Sequence, residues 1–236
     1  MNIPENLIYI DIETVSQCEN YSELTQNFKS IWEKKQSKDP QLHDLLPEEA
    51  YRQKAAIFAE FGKIVCISLA FYDKSKEEYR MKSFFAYDEK QLLADFADFC
   101  AQLKKKYLFC GHNIREFDIP YISRRFLINA LPIPPILDFQ NKKPWEIEMI
   151  DTLQLWKFGD YKNFTSLETL ATIFDIPTPK DDIDGSQVGH VYWVEKDLNR
   201  IVTYCQHDVI AIIQLLRKLS QKPIVPLDKI KIIPNE

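Results

Sequence analysis

The sequence predicts a single α/β domain, and three observations support this. A chain of 236 residues with 45% hydrophobic and 28% charged content can bury a full core without disulfides or metal ions to hold it. Short runs rich in β-branched and aromatic residues alternate with stretches whose apolar residues recur at helical spacing. The length alone allows one or two domains. Neither an internal repeat nor a glycine- or serine-rich linker divides the chain, so one domain is the simplest interpretation.

The first half of the chain predicts three strands, a helical insertion and a helix. Residues 6–12, NLIYIDI, are typical of a buried strand. Residues 16–60 are more polar and contain helical stretches, which indicates an insertion after that strand. Residues 63–72 and 79–87 predict hairpin partners across the polar turn DKSKEE. Residues 89–104 carry apolar side chains at helical spacing and predict an amphipathic helix.

The next part of the chain predicts a strand, a helix and another strand. The strand at 107–113 ends in a glycine turn. A helix from about 116 to 129 follows it, with Pro120 in the first turn, where proline is tolerated. The segment 130–147 is rich in proline and predicts a loop, and 148–156 contains a short strand.

The C-terminal part predicts two helices and a tail. The sequence Thr165-Ser-Leu-Glu168 resembles a capping box that opens a helix reaching about residue 174. The last long helix is predicted from about 195 to 218. We therefore expect one domain over residues 1–222, with the helical insertion inside it, and a proline-containing tail over 223–236 to which the sequence assigns no element.

Composition narrows the possible functions. A net charge of -5 argues against a protein that coats nucleic acid by charge alone, but it leaves room for an enzyme that binds nucleic acid locally. No apolar run approaches the ~20 residues that span a bilayer, and the start MNIPENLIYIDIE lacks the features of a signal peptide. We expect a cytoplasmic protein that has no contact with membranes. The cysteines are scattered without a CxxC pair, which predicts buried reduced thiols; they are Cys18, Cys66, Cys100, Cys110 and Cys205.

Two carboxylates lie at the end of the first predicted strand. Residues i and i+2 of a strand share one face, so Asp11 and Glu13 project together from a largely apolar segment. Their mutual repulsion and their desolvation are costly unless a cation neutralises them. Oxygen ligands suit hard ions such as Mg²⁺ or Mn²⁺. Taken alone, the pair is more often a solvated strand end.

A second group of polar residues follows a later strand. In the segment from Gly111 to Asp118 the glycine permits a close turn, Asn113 is placed to cap a helix, and Phe117 is placed to pack inward. Asp118 stands near the helix start, where the helix dipole favours a negative charge. That preference also explains this aspartate without any function.

The third group lies in the final predicted helix. Tyr204 and Asp208 are four residues apart, which places them on one face of the helix. Such a pair is a weak signal by itself. The order and placement of all three groups are much more specific.

Together these residues resemble the DEDD superfamily of DnaQ-like 3'-5' exonucleases, which has a ribonuclease H-like fold with a mixed central β-sheet flanked by α-helices. The matching positions are Asp11, Glu13, Asn113, Phe117, Asp118, Tyr204 and Asp208. The tyrosine branch fits, because the histidine branch would have histidine at Thr203, and His207 is out of register. The segments DTLQLWKFGD, TPKDDIDGSQV and RIVTYCQHDV look like bacterial stand-alone relatives of the exonuclease domain of family B DNA polymerases. The likeness covers residues 6–218.

The resemblance implies the cofactors and the roles of these residues. It implies two divalent ions, Mg²⁺ or Mn²⁺, held by Asp11, Glu13, Asp118 and Asp208. Tyr204 would orient the attacking water, since a phenol is a poor base at neutral pH. The implied contacts to the 3' end of the substrate are Ile12, Thr14, Asn113, Phe117 and Arg115.

Further side chains are candidates for contacts with a single strand, which proteins hold by charge and stacking. The cationic candidates are Arg115, Arg124, Arg125, Lys157 and Lys162. The aromatic candidates are Trp156, Phe158, Tyr161 and Phe164, although ordinary packing is the more frequent role of each residue. Asp151 either approaches the metal ions or caps the next turn, and capping is favoured.

Three functions remain open at this point. A metal-dependent 3'-5' exonuclease acting on single-stranded DNA is favoured. An exoribonuclease would use the same residues, and an inactive nucleic-acid-binding module would need none of the carboxylates. A DNA polymerase or repair protein would then be a partner in trans, and the sequence leaves the oligomeric state open.

Overall fold

A computed structural model describes residues 1–103, 107–160, 162, 164–177 and 183–234 of the protein. Its strands are β1 (Leu7–Ser16), β2 (Gly62–Asp73), β3 (Glu78–Phe85), β4 (Leu108–Gly111), β5 (Met149–Asp151) and β6 (Ile230–Ile232). They form one sheet in the order β5-β4-β1-β2-β3-β6. The β1–β4, β4–β5 and β3–β6 pairs are parallel, whereas the β1–β2 and β2–β3 pairs are antiparallel. The predicted α/β class with a mixed sheet is confirmed.

Helices pack on both faces of this sheet. They are α1 (Gln26–Gln36), α2 (Pro47–Lys54), α3 (Glu89–Ala101), α4 (Asp118–Ile128), α5 (Thr152–Lys157), α6 (Leu167–Ile173), α7 (Val188–His190) and α8 (Leu198–Leu219), with a π-helical turn at Val191–Glu195 before α8. Within the ranges given above, no helix combines the length and apolar character needed to cross a membrane.

The central strand β1 distributes its side chains between two layers of helices. Ile8, Ile10 and Ile12 join the apolar cluster that contains α3 and α4. Leu7 and Tyr9 join the cluster formed with α8. Because side chains alternate along a strand, this one run of residues supplies both halves of the core.

The insertion between β1 and β2 has a small core of its own. Trp32 of α1 is fully buried, and its indole nitrogen donates to the carbonyl of Pro47 over 3.0 Å. Its ring meets Tyr51 and Phe61 edge to face. The predicted helical insertion is therefore a packed unit attached to the end of β1.

Some element boundaries differ from those that the sequence predicts. The N-cap of α6 is Ser166, whose hydroxyl accepts from the amide of Thr169, so this helix begins one residue later than a cap at Thr165 would place it. The run after β5 turns directly into α5, because the carboxylate of Asp151 caps that helix. The start of the C-terminal tail is held by Gln214 of α8. Its side-chain nitrogen donates to the carbonyl of Val225, and its side-chain oxygen accepts from the amide of Val225. Beyond that point the tail adds β6 alongside β3.

One predicted phosphate contact is wrong. Arg125 is buried, and its guanidinium pairs with the carboxylate of Glu89 at the start of α3. The same carboxylate accepts from the amide of Ile64 and from Asn129, while Arg125 also donates to the carbonyl of Ala59. The pair fastens α3, α4 and β2 together, so Arg125 has a structural role.

We expect Arg125→Leu to lower the free energy of unfolding by about 3–5 kcal/mol, because removing one partner leaves the other charge buried and uncompensated. The neighbouring Arg124 is exposed and is a matched control. Arg124→Leu should change the free energy of unfolding by less than about 0.5 kcal/mol. Urea denaturation of both variants measures the difference, and equal losses in the two would contradict this role for Arg125.

Candidate active site

The candidate site lies where two parallel strands part. β1 pairs with β4 as far as Tyr9, opposite Cys110, and then continues while β4 ends. A Cβ atom on Gly111 would lie 2.8 Å from the carbonyl oxygen of Ile10 and 1.8 Å from the side chain of Ile114. Only glycine lets the chain turn this close to β1. The region where the strands part, which we call the cleft, lies at the carboxyl ends of parallel strands, where ligands bind in many α/β proteins.

Asp11 and Glu13 project from β1 into this cleft on the face covered by α8. Asp11 is half-buried and Glu13 is buried. Oxygen atoms of both carboxylates lie within 4.8 Å of each other and of the sulfur of Cys205. The β1–β2 register shifts between Glu13 and Thr14, so the strand is irregular directly after the acidic pair.

Asp118 approaches the same cleft from the start of α4. Its side chain is buried, and the backbone amide of Ile12 in β1 donates to its carboxylate. Burial is the largest cause that raises the pKa of Asp118 to about 7, and the charges of Asp151 and Asp208 raise it further, while backbone hydrogen bonds oppose the rise. The contact with β1 thus places a proton-binding carboxylate beside Asp11.

The third group reaches the cleft from α8. Tyr204 and Asp208 lie on consecutive turns of this helix, and the Tyr204 hydroxyl bonds to the Asp208 carboxylate. Burial raises the pKa of Tyr204, and the charges of Asp208, Glu13 and Asp11 add to the rise. The phenol is therefore neutral at physiological pH and is a hydrogen-bond donor rather than a base.

Repulsion among the acids shows that the three groups share one site. Burial, followed by the charges of Asp208, Asp118 and Glu13, holds the pKa of Asp11 well above its usual range. Four carboxylates from β1, α4 and α8 thus act on one another electrostatically. Such a cluster favours either bound protons or divalent cations.

Asp151 at the end of β5 organises the turn that precedes α4. Its carboxylate accepts from the amides of Asn113 over 2.9 Å and Arg115 over 3.1 Å, and from that of Leu153 in α5 over 3.0 Å. The favoured capping role is confirmed. The sequence does not reveal that the same side chain also holds the turn after β4.

Asn113 does not cap α4 as the sequence suggested. The backbone of Asn113 has a φ of 63°, and the N-cap position belongs to Phe117. The side-chain oxygen of Asn113 is buried and has no hydrogen-bond partner among the residues that the structure describes. This unsatisfied acceptor lies in the turn beside the cleft, so its place near a substrate remains a prediction.

The other predicted substrate contacts have structural partners. Arg115 donates to the carbonyls of Pro144 and Ile147, which explains this arginine without a phosphate. Phe117 packs inward against the ring of Tyr121, as predicted. The side chain of Ile12 is buried in the core, and Thr14 shares a hydrogen bond with Tyr121.

The aromatic candidates divide into two kinds. Trp156 packs against the ring of Phe174, so the expected packing role is confirmed for it. Phe158 is 89% exposed, which contradicts the expectation of ordinary packing for it, whereas Phe164 is 66% exposed and lies against the ring of His112. Tyr161 lies outside the described residues. Lys157 and Lys162 are close to these aromatic residues in the sequence. Lys162 is exposed and Lys157 is partly exposed.

His112 links the exposed ring of Phe164 to the turn beside the cleft. One ring nitrogen of His112 bonds the hydroxyl of Thr152, and the other bonds the carbonyl of Thr165, both over 2.9 Å. The ring of Phe164 lies edge-on to that of His112, with 6.4 Å between centroids. The loop that carries Phe164 is therefore attached to the turn next to Asn113.

Cys205 is the contributor that sequence reasoning missed. It lies between Tyr204 and Asp208 in α8 and faces the same strand as they do, yet its small apolar character suggested only a core thiol. The five cysteines, all within the described ranges, are free thiols, and four of them are buried. Its position in the sequence could have indicated a place in the site, because Cys205 directly follows the proposed catalytic residue Tyr204.

Comparisons with known proteins agree with this geometry. A model of the family described as predicted 3'-5' exonucleases related to the exonuclease domain of PolB matches residues 57–219. The comparison with curated proteins gave no match. Among solved structures, the family B DNA polymerase of the hyperthermophilic archaeon Pyrobaculum calidifontis is similar, with a TM-score of 0.58 and 16% identity. The likeness covers 92% of this chain and 25% of the polymerase chain.

The structural likeness confirms the ribonuclease H-like fold, and the chain spans about a quarter of the length of that polymerase. The family match includes Asp118, Tyr204 and Asp208 but begins after Asp11 and Glu13. It covers more than half of the chain. The chain therefore belongs to the family of predicted 3'-5' exonucleases related to the exonuclease domain of PolB.

Proposed function

We propose that the protein is a divalent-metal-dependent exonuclease that removes nucleotides from the 3' end of single-stranded DNA. The observation that carries this proposal is the convergence of four carboxylates from three separate elements on one cleft. A structural role would not require buried acids that repel one another. An inactive binding module would gain stability by losing them.

The donor set fits hard divalent ions. Asp11, Glu13 and Asp208 would hold one ion, and Asp11 with Asp118 a second, because carboxylate oxygens are the ligands that Mg²⁺ and Mn²⁺ prefer. Two such ions, when bound, stabilise the attacking and leaving oxygens of an in-line displacement at phosphorus. The four carboxylates also exclude an unaccompanied phosphodiester by charge, so substrate binding would depend on the cations.

We assign the protein to the tyrosine branch of the superfamily, and Tyr204 is the residue that supports this assignment. Its neutral hydroxyl donates its proton to Asp208, so its oxygen can accept a hydrogen bond from a water molecule and orient it without taking a proton. The proton released by the attacking water would then pass to solvent.

The exposed aromatic residues support a single-stranded substrate. Phe158 adopts a left-handed backbone conformation with a φ of 45° and exposes its ring to solvent. The ring of Phe164 is also largely exposed and lies beside His112. Aromatic rings and nearby cations hold successive bases and phosphates of a single strand without reading sequence. Lys157 and Lys162 supply the cations.

An exoribonuclease remains the second candidate, because no described contact separates ribose from deoxyribose. Digestion of matched DNA and RNA oligonucleotides, labelled at the 3' or the 5' end, tests polarity and substrate together. A 3'-5' exonuclease releases the 3' label first and shortens the 5'-labelled strand stepwise. If no substrate is cut with Mg²⁺ or Mn²⁺, the inactive module would be favoured.

We also propose that the protein is cytoplasmic and that it could proofread in trans for a DNA polymerase.

We expect Asp11→Ala to reduce kcat by about 10³-fold or more, since it removes a ligand whose metal contributes several kcal/mol to the transition state. Tyr204→Phe removes one hydrogen bond to a charged group and should cost about 10–100-fold. Single-turnover digestion of a 3'-labelled strand measures both rates. Equal and complete loss in the two variants, with metal binding intact in Tyr204→Phe, would contradict this division of roles.

The raised pKa of Asp118 predicts how the metal-free protein responds to pH. Its proton is bound more tightly in the folded than in the unfolded chain, so this stabilising contribution is fully present below about pH 4 and is lost as the pH rises through about 7. Asp118→Asn should therefore raise the Tm in EDTA at pH 8 by about 3 °C or more. Mg²⁺ should raise the Tm of the original protein and raise that of the variant less.

Thermal unfolding at pH 5 and pH 8, with EDTA and with Mg²⁺, measures these effects. Asp98→Asn on the exposed side of α3 is the matched control and should leave all four Tm values unchanged. A lower Tm for Asp118→Asn at pH 8 in EDTA would show that this carboxylate stabilises the fold rather than opposing it.

Phe158→Ala should raise the KM for a single strand by about fivefold or more, because stacking on one base contributes about 1–3 kcal/mol. We expect kcat to change by less than about twofold, since the ring is not one of the proposed metal ligands and would act only in binding. Tyr72→Ala is the control, because Tyr72 is partly exposed at the other end of the sheet. A KM that rises equally in both variants would remove Phe158 from the substrate path.

A further inference from the structure

One atom of the candidate metal cluster is not an oxygen. The ligand atoms of Asp11, Glu13 and Cys205 lie within 4.8 Å of one another. Cys205 is buried in α8, and its thiol donates to the backbone oxygen of Asp11 over 3.5 Å and lies 3.6 Å from Oδ2 of the same residue. The sulfur therefore borders the space between the two carboxylates of β1.

The spacing matches a known coordination geometry. In a tetrahedral site with a Zn–S bond of about 2.3 Å and a Zn–O bond of about 2.1 Å, sulfur and oxygen are about 3.6 Å apart. The distance between Sγ of Cys205 and Oδ2 of Asp11 is 3.6 Å. One thiophilic ion bound to both atoms would fit this separation, and Glu13, in the same group of ligand atoms, would supply a further oxygen.

The other buried thiols have different surroundings. Cys100 packs among apolar side chains of the α3 and α4 cluster, and Cys110 lies in the apolar cluster under α8. Cys66 is a hydrogen-bonding neighbour of Cys205, but it points toward Ser68, at 3.5 Å, and does not belong to the ligand group. Cys205 is therefore distinguished from these thiols by its two carboxylate neighbours.

We infer that Cys205 makes this cluster a mixed sulfur and oxygen site for thiophilic divalent cations of the zinc and cadmium class, which displace the ions that support hydrolysis. Soft thiolate ligands favour Zn²⁺ and Cd²⁺, whereas Mg²⁺ prefers oxygen. The thiol proton passes to solvent as the sulfur–metal bond forms. The binding step stands on the geometry of the three residues, and only the loss of hydrolysis rests on the proposed function.

Cadmium alone is the probe that tests the binding step, since a thiolate bound to Cd²⁺ gives a charge-transfer band in the ultraviolet. The measurement uses the full chain with Cys18→Ser, which removes the partly exposed thiol. We expect a band that saturates at about one Cd²⁺ per chain, as for a single-ion site. Adding Cys205→Ser should abolish the band, and adding Cys66→Ser, the matched control, should leave it in place.

The inference is overturned if the band is absent from the Cys18→Ser protein or persists after Cys205→Ser. Cys205→Ala is a second variant in case serine disturbs the packing of α8, and circular dichroism establishes that each variant is folded. In oligonucleotide digestion with excess Mg²⁺, the original protein should be inhibited at about tenfold or more lower Cd²⁺ than Cys205→Ser, because a lost ligand weakens metal affinity at least as much as a lost supporting contact.

The two proposals fail in different ways. A band with no digestion of any substrate would contradict the exonuclease function and leave the mixed site standing. Digestion with no band, or with equal Cd²⁺ inhibition in the original protein and in Cys205→Ser, would contradict the mixed site and leave the exonuclease standing.

Discussion

The main physical constraint on the structure is that four acidic side chains lie close together in one largely buried region. Isolated ionised carboxylates are expensive to bury, and neighbours of the same sign increase the cost. The protein accommodates Asp11, Glu13, Asp118 and Asp208 because each is mounted on an element that is fixed by apolar packing elsewhere. The apolar core thus offsets the free-energy cost of holding the acids together, and such compensation between a scaffold and its functional residues is common.

The fold is what brings these acids together. β1 extends beyond the end of its pairing with β4. The amide of Ile12 therefore has no partner on β4 and donates to Asp118 instead. Asp151 holds the turn between β4 and α4 by accepting hydrogen bonds from the amides of Asn113 and Arg115. A family match that begins at residue 57 does not contain the first two acids, and the strand β1 that carries them lies between β4 and β2 in the sheet.

Much of this arrangement is predictable from local sequence. The strands at the centre of the sheet and the amphipathic helices have strong periodic patterns, and the acid spacing on β1 and α8 follows from strand and helix geometry. The tail strand β6 is not predictable in this way, because its pairing with β3 is a long-range contact. The same holds for Arg125, whose charge indicated a surface residue until Glu89, 36 positions away, proved to be its partner. The exposure of Phe158 is not predictable locally, because the exposure of an aromatic ring depends on the whole surface. The position of Cys205 beside Asp11 is not predictable either, because the two residues lie on different elements.

The short strand β6 has a consequence for the behaviour of the protein in solution. Without it, β3 would be the outer strand of the sheet, and a row of its amide and carbonyl groups would be open to pairing with another molecule. Three residues, tethered by the clasp between Gln214 and Val225, shield part of that row. The tail thereby protects this edge of the sheet from self-association. Its loss would cause aggregation and turbidity rather than a change at the acidic cluster.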